Sequence, residues 1–280
     1  YKSMKVVENE GDKVAQMKEN YKRMKLDCLL TLGGNGTHKT GNLLSQEGMN
    51  IIGLPKTIDN DIWGTDVTFG FHTAVDIGTE VVDRIHTTAS SHKRVMVIEI
   101  MGNKAGWLTL YTGIAGGADI ILIPEIPYDI KKVIKAVERR ANDGKSFSII
   151  AVAEGAFDTA EAKMKKKERS ERRAAAGETT ATNRIARQIA EATGFDTRVV
   201  VPGHYLRGGS PSSYDRVLAS QFGVYAAELV SKKIFGVAVA EQNNRVMHNS
   251  LSDVAGKTKF VTPDDQMVFT ARSLGISFGD

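Results

Sequence analysis

A single cysteine in 280 residues excludes an intrachain disulfide, so the fold must rest on its apolar core. Cys28 lies inside the apolar run Leu26 to Leu32, where it reads as a small buried hydrophobe, and a reducing cytoplasm suits it. No apolar run approaches the roughly 20 residues that cross a bilayer as a helix, so no membrane partner is expected. Charge of one sign is not in excess either. The net charge is +4, yet residues 163–173 alone carry seven cations and two anions, so the rest of the chain sums to −1. That is one local solvated patch, and a nucleic-acid partner is not expected. Internal repeats and low-complexity linkers are also absent. Any second domain must therefore form by the chain passing across and returning.

What is present is an ordinary globular composition, 41 % hydrophobic and 25 % charged, enough for one large domain or two smaller ones. Apolar runs alternate with helical periods. Strands are expected at Asp27–Leu32, Asn50–Leu54, Arg94–Ile100, Asp119–Ile123, Phe147–Ala153, Arg198–Val201 and Phe235–Val239. Val and Ile dominate these runs on both faces, as in a covered parallel sheet. Helices are expected at Lys13–Lys25, Thr73–Ile85, Ser213–Lys232 and Thr262–Ser273, and around Ile130, Val133, Ile134 and Val137, which share one face. The alternation implies an α/β fold with parallel-sheet layers and right-handed crossovers. Residues 158–193 break the rhythm and read as a charged helical insertion on the surface, with Ile185 and Ile189 restarting an apolar stripe.

Two loops carry the chemistry. Gly33-Gly-Asn-Gly-Thr37 closes one apolar run, and Lys56 to Asp61, with carboxylates Asp59 and Asp61, closes the next. Each loop alone also fits a polar strand-to-helix turn. Together they fit phosphoryl transfer: a glycine loop for phosphates, one carboxylate as base and one for Mg²⁺. Met101–Asn103, Glu154 and His204–Arg207 also follow strand ends, the edge where such sheets bind ligands. His38, Lys39, His86 and His92 read as local polar residues.

Pro55-Lys-Thr-Ile-Asp-Asn-Asp61, Met101-Gly102, Ala153-Glu154-Gly155, Pro202-Gly-His-Tyr-Leu-Arg-Gly-Gly-Ser-Pro211 and Tyr214-Asp-Arg-Val-Leu-Ala219 occur in one order over nearly the whole chain. In that order and spacing the chain resembles the phosphofructokinase family. The resemblance implies two Rossmann-like parallel-sheet layers with an active site in the cleft between them. It implies a 6-phosphofructokinase of glycolysis, phosphorylating the 1-hydroxyl of fructose 6-phosphate. Asp59 is then the general base, with Thr57 beside the transferring group. Asp61, with Asn35, would face Mg²⁺, and Gly34, Asn35, Gly36, Thr37 and Lys56 would meet the donor phosphates. Met101, Gly102 and Glu154 would hold sugar hydroxyls, and His204 and Arg207 would grip the 6-phosphate. Arg94 and Arg198 would enter from a neighbouring subunit, so a homodimer or homotetramer with shared active sites is implied.

The pattern departs from the family at three places. Asn35 stands where aspartate is common, Asn103 replaces a frequent arginine, and Lys56 is similar to the pyrophosphate-using branch. Gly36, however, leaves room for a nucleotide, which favours ATP as donor over pyrophosphate. A pyrophosphate-dependent enzyme and a non-catalytic, regulatory or truncated homologue are the alternatives. The glycine loop also looks like that of NAD kinases and diacylglycerol kinases, which lack a block like Pro202–Pro211. By the same resemblance, 1–70 with 206–256 form a larger donor-binding domain lacking its first strand. A smaller sugar-phosphate domain then comprises 71–205 with 257–280. The opening Tyr1-Lys-Ser-Met-Lys5 has no initiator methionine, and an upstream segment contributing to the donor site is expected to be missing. The chain as it stands is then expected to keep weak sugar-phosphate binding and little kinase activity.

Overall fold

The computed structural model describes residues 13–280, so the reading of Tyr1–Lys5 lies outside the described residues. The described residues divide into two compact units, residues 13–71 with 211–259 and residues 72–210 with 260–280.

The first unit opens with α1 (Lys13–Arg23), β1 (Leu29–Gly33), α2 (Asn35–Gln46) and β2 (Ile51–Pro55). The chain then runs through α3 (Phe71–His92), β3 (Val95–Ile100), α4 (Trp107–Ala115), β4 (Ile120–Leu122), α5 (Ile130–Asn142) and β5 (Ser148–Ala153). Next come α6 (Lys166–Ala175), α7 (Thr182–Thr193) and β6 (Thr197–Val200). It returns to the first unit for α8 (Ser213–Ser231), β7 (Val237–Gln242), β8 (Arg245–Ser250) and α9 (Leu251–Val254), and ends in the second with α10 (Gln266–Ser273).

All seven expected strands form, within a few residues of their anticipated ends. The first sheet has the order β1-β2-β7-β8, parallel except for β8, and the second has the order β4-β5-β3-β6, all parallel. The unexpected strand is β8. Its run Arg-Val-Met-His-Asn-Ser is too polar to register as a buried strand, and it pairs antiparallel at the sheet edge. A signal was nonetheless there. Asn243 and Asn244 both take positive φ, +52° and +60°, as a two-residue hairpin turn requires, and asparagine tolerates that region.

Local chemistry places the helix starts. The Asp129 carboxylate accepts from the Lys131 N–H at 2.9 Å at the head of α5, and the Ser212 hydroxyl accepts from the Asp215 N–H at 3.2 Å at the head of α8. α10 begins at Gln266 rather than Thr262 because Asp265 caps it, accepting from the Met267 N–H at 2.8 Å.

Alternate residues of the second sheet (Val95, Val97, Ile120, Leu122, Ile150 and Val152) pack against Val133 and Val137 of α5 and Ile185 and Ile189 of α7. The last two correct the reading of 158–193 as a surface insertion. Only part of it is surface, because α7 covers the sheet and its apolar stripe is fully buried. A charge network ties the segment down: buried Glu161 accepts from Arg173 Nε and Nη2 at 2.8 Å each and from Arg184 Nη2 at 2.7 Å.

Candidate active site

In the first unit β1 and β2 pair in parallel through Gly33 and Pro55, so their following loops leave the sheet side by side. The Lys56 N–H still donates to the Gly33 carbonyl at 3.0 Å. Gly34 then ends the strand and serves as N-cap of α2 without a side-chain cap, leaving first-turn amides for another acceptor. A Cβ at Gly34 would lie 3.6 Å from the Thr57 Cβ, so the loops pack backbone against side chain. At Gly36 a Cβ would meet nothing within 4 Å: the space there is open.

The loops are cross-linked. Asn35 Nδ2 donates to Asp61 Oδ2 at 2.7 Å and to the Asp61 carbonyl at 3.3 Å. The Asp59 N–H donates to Thr57 Oγ1 at 3.2 Å. Between the two carboxylates Asn60 takes φ +52°, and its Oδ1 accepts from the Thr68 N–H at 3.1 Å, while the Thr68 hydroxyl donates to the Thr57 carbonyl at 2.8 Å. This bracing holds Asp59, 9 % exposed, and Asp61, 4 % exposed, in place against the cost of desolvating carboxylates. Thr37 folds over Gly33, where a Cβ would meet its Oγ1. Lys56 is exposed beside them.

His38 departs from its reading as a local polar residue. It is fully buried, its Nδ1–H donates to the Gly34 carbonyl at 3.0 Å, and its ring fills the space that a Gly53 side chain would need. Burial pushes its imidazole below the ordinary range. The four-residue spacing from Gly34 is the only trace of this in the sequence. Asn60 and Thr68 have no trace in the sequence at all, since nothing local marks a residue that braces a loop.

In the second unit β5, β3 and β6 are adjacent, so the segments after them share one edge of the sheet. Gly102 follows β3 with φ +154°, and a Cβ there would lie 2.6 Å from the Ala105 carbonyl oxygen. Glu154 follows β5, and its Oε1 accepts from the Gly102 N–H at 3.0 Å and the Asn103 N–H at 2.6 Å. The Met101–Asn103 turn and Glu154 thus meet. His204 and Arg207 follow β6 on a 3-10 turn (Gly203–Arg207), and both are exposed. Arg94 and Arg198 converge on a residue that had not been singled out: Arg94 Nε reaches Asp196 Oδ2 at 2.6 Å, and Arg198 Nη2 reaches Asp196 Oδ1 at 2.9 Å. The hydrogen bond from Arg94, with the charge of Arg198 beside it, holds the Asp196 carboxyl below the usual range.

Beside Asn35 and Asp61 a hard cation would meet oxygen donors. Asn35 Oδ1 is buried and accepts no hydrogen bond, and it neighbours the Asp61 carboxylate. Among the described residues no group of three or more His, Cys, Asp or Glu side chains could cage a metal. That donor set fits Mg²⁺, which commonly takes one or two carboxylates and completes its shell with water and phosphate oxygens.

A phosphofructokinase family model matches residues 2–230 of the chain. An "ATP-dependent 6-phosphofructokinase" of Spirochaeta thermophila is 57 % identical over 96 % of this chain and 73 % of its own length. An "ATP-dependent 6-phosphofructokinase 3" of Bacteroides thetaiotaomicron is 46 % identical over 98 % of this chain and 76 % of its own. The solved structure of phosphofructokinase from Saccharomyces cerevisiae superimposes with a TM-score of 0.76 at 30 % identity, covering 86 % of this chain and 34 % of that one. The two α/β layers are those of that fold. The chain belongs to the phosphofructokinase family.

Proposed function

We infer that this chain is an ATP-dependent 6-phosphofructokinase, transferring the γ-phosphoryl group of ATP to the 1-hydroxyl of fructose 6-phosphate. The observation that carries this reading is the cross-linked pair of loops after β1 and β2, with Asp59 and Asp61 buried beside the amides that open α2. Asp59 takes the proton of the 1-hydroxyl as its oxygen bonds to phosphorus and the bond to the β-phosphate oxygen breaks, releasing ADP. Thr57 keeps the Asp59 backbone in place through its hydroxyl. Gly34, Asn35, Gly36 and Thr37 present amides to the donor phosphates, and Lys56 adds charge. Asp61 and Asn35 Oδ1 would hold Mg²⁺, which when bound neutralises donor phosphate charge.

In the second unit Glu154, already fixed by two backbone N–H groups, accepts sugar hydroxyls beside Met101 and Gly102. His204 and Arg207 hold the 6-phosphate, arginine through its planar fork. Arg94 and Arg198, gathered on Asp196, serve a neighbouring subunit's sugar phosphate, so the enzyme is a homodimer or homotetramer. No described helix is long and apolar enough to cross a membrane, and we place the enzyme in the cytoplasm as a glycolytic catalyst.

Lys56 supports a second reading, with pyrophosphate as donor, because a lysine can serve either phosphate. A coupled assay offering ATP and pyrophosphate separately tests the choice. Turnover with ATP at far higher kcat/KM is expected, and the reverse ratio overturns it.

A further inference from the structure

The basic segment at 163–173 does not spread all its charge into bulk solvent. Lys166, Arg169, Ser170 and Arg173 of α6 recur at the spacing of one helix face, and all four line a cavity of about 720 Å³ within the second unit. Lys104, Glu125, Glu154 and Phe157 line it as well, and Glu125 Oε1 is engaged by the Gly106 and Val261 N–H groups. The four α6 residues are not equivalent. Arg173 is buried and committed to Glu161 and to the Ala156 carbonyl at 2.8 Å, which fastens the helix over the end of β5. The guanidinium carbon of Arg169 lies over the Phe157 ring, 4.1 Å from its centroid, a cation–π contact that uses none of the N–H donors in a hydrogen bond. Among the described residues, Lys104, Lys166 and Arg169 form no ion pair with a carboxylate. Glu154 receives both its backbone N–H bonds on Oε1 and none on Oε2.

Three cations without carboxylate partners line the same cavity as the carboxylates of Glu125 and Glu154, and of these Glu154 Oε2 receives no hydrogen bond; together they describe a ligand with two kinds of group. It must carry an anion compact enough to take several N–H donors, and hydroxyls to donate to Glu154. Resting on the reading of Glu154 as a sugar-hydroxyl acceptor, we propose that this cavity is a second anion subsite that takes a phosphorylated polyol or sugar. Its phosphate lies on Lys104, Lys166 and Arg169, and a hydroxyl donates to Glu154 Oε2. Because Glu154 is shared, occupation competes with fructose 6-phosphate.

The test uses calorimetric titration in an Arg207→Ala background, which removes the proposed 6-phosphate grip and leaves the cavity intact. Inorganic phosphate and sorbitol 6-phosphate are the probes. Saturable phosphate binding is expected, weakened tenfold or more by adding Lys166→Ala with Arg169→Ala. Sorbitol 6-phosphate is expected to bind tighter than phosphate, an advantage that Glu154→Gln erases. A Lys166→Gln, Arg169→Gln pair and thermal melts of every variant exclude loss of fold as the cause. Phosphate binding that disappears with Arg207→Ala alone, or survives loss of Lys166 and Arg169, overturns the subsite. A failure of the 6-phosphofructokinase reading itself would show separately, as absent turnover in the unmutated enzyme.

Discussion

Asn35 donates its side-chain amide to the carboxylate of Asp61 across 2.7 Å, which joins the glycine loop to the carboxylate loop. The contact explains why asparagine is tolerated beside a carboxylate: an amide satisfies the buried Asp61 Oδ2 even without a metal, whereas a second carboxylate would repel it.

Asn35→Asp therefore makes the site depend on a cation for its stability. In chelator the variant should lose about 1–3 kcal/mol relative to the parent, the cost of one unsatisfied buried polar contact, and Mg²⁺ should restore most of it. Melting curves with and without Mg²⁺ measure this. An unchanged melting temperature in chelator would mean the 2.7 Å contact is of no consequence.

Asp59→Ser should lower turnover by about 10²–10⁴-fold with little change in sugar-phosphate affinity, because the proton acceptor is lost while Thr57 and Asn60 still brace the loop. Steady-state kinetics with a separate binding titration give both quantities. Near-normal turnover removes Asp59 as the base.

Gly36→Asp adds a side chain into open space, so the fold should be kept. The carboxylate then repels the donor phosphates and occupies nucleotide room. KM for ATP should rise tenfold or more, while any pyrophosphate-dependent turnover is spared. Equal losses with both donors would show that Gly36 does not discriminate between them.

Buried Glu161 makes stability depend on acid. Burial alone would raise its carboxyl, but hydrogen bonds and charge from Arg173 and Arg184 outweigh that and hold it at about 2. A depressed carboxyl stabilises the fold fully above its ordinary value of 4.5 and loses that contribution as pH falls from there toward about 2, roughly 3 kcal/mol in all. Glu161→Gln should cost about 3–5 kcal/mol at pH 7, since two guanidinium groups lose a buried partner. It should also flatten the loss of stability between pH 4.5 and 2. Urea unfolding across that range distinguishes the two proteins, and parallel curves would contradict the assignment.

Arg198→Ala and Asp59→Ser subunits, each inactive alone, should recover activity when mixed under conditions where subunits exchange, because hybrid sites then carry both groups. A mixture proven to exchange but still inactive would separate Arg198 from the neighbouring subunit's site.

The sequence by itself determined the parallel α/β layering, because Val- and Ile-rich runs apolar on both faces fit little else. It also determined the loops that follow the strands, since glycines, carboxylates and arginines in that order have few physical uses together. Residue types and their order along the chain are local facts, and local facts are legible. The tertiary structure alone decided the pairings. Asn35 with Asp61, Glu154 with the amides of Gly102 and Asn103, and Arg94 with Asp196 all join residues far apart in sequence. No periodicity encodes such contacts, because strand register brings the partners together only once the sheet has formed. The same holds for 158–193. Its composition is that of a solvated surface, yet Ile185 and Ile189 are buried because α7 packs them against the second sheet, and Glu161 is buried beside two arginines that only the folded chain delivers.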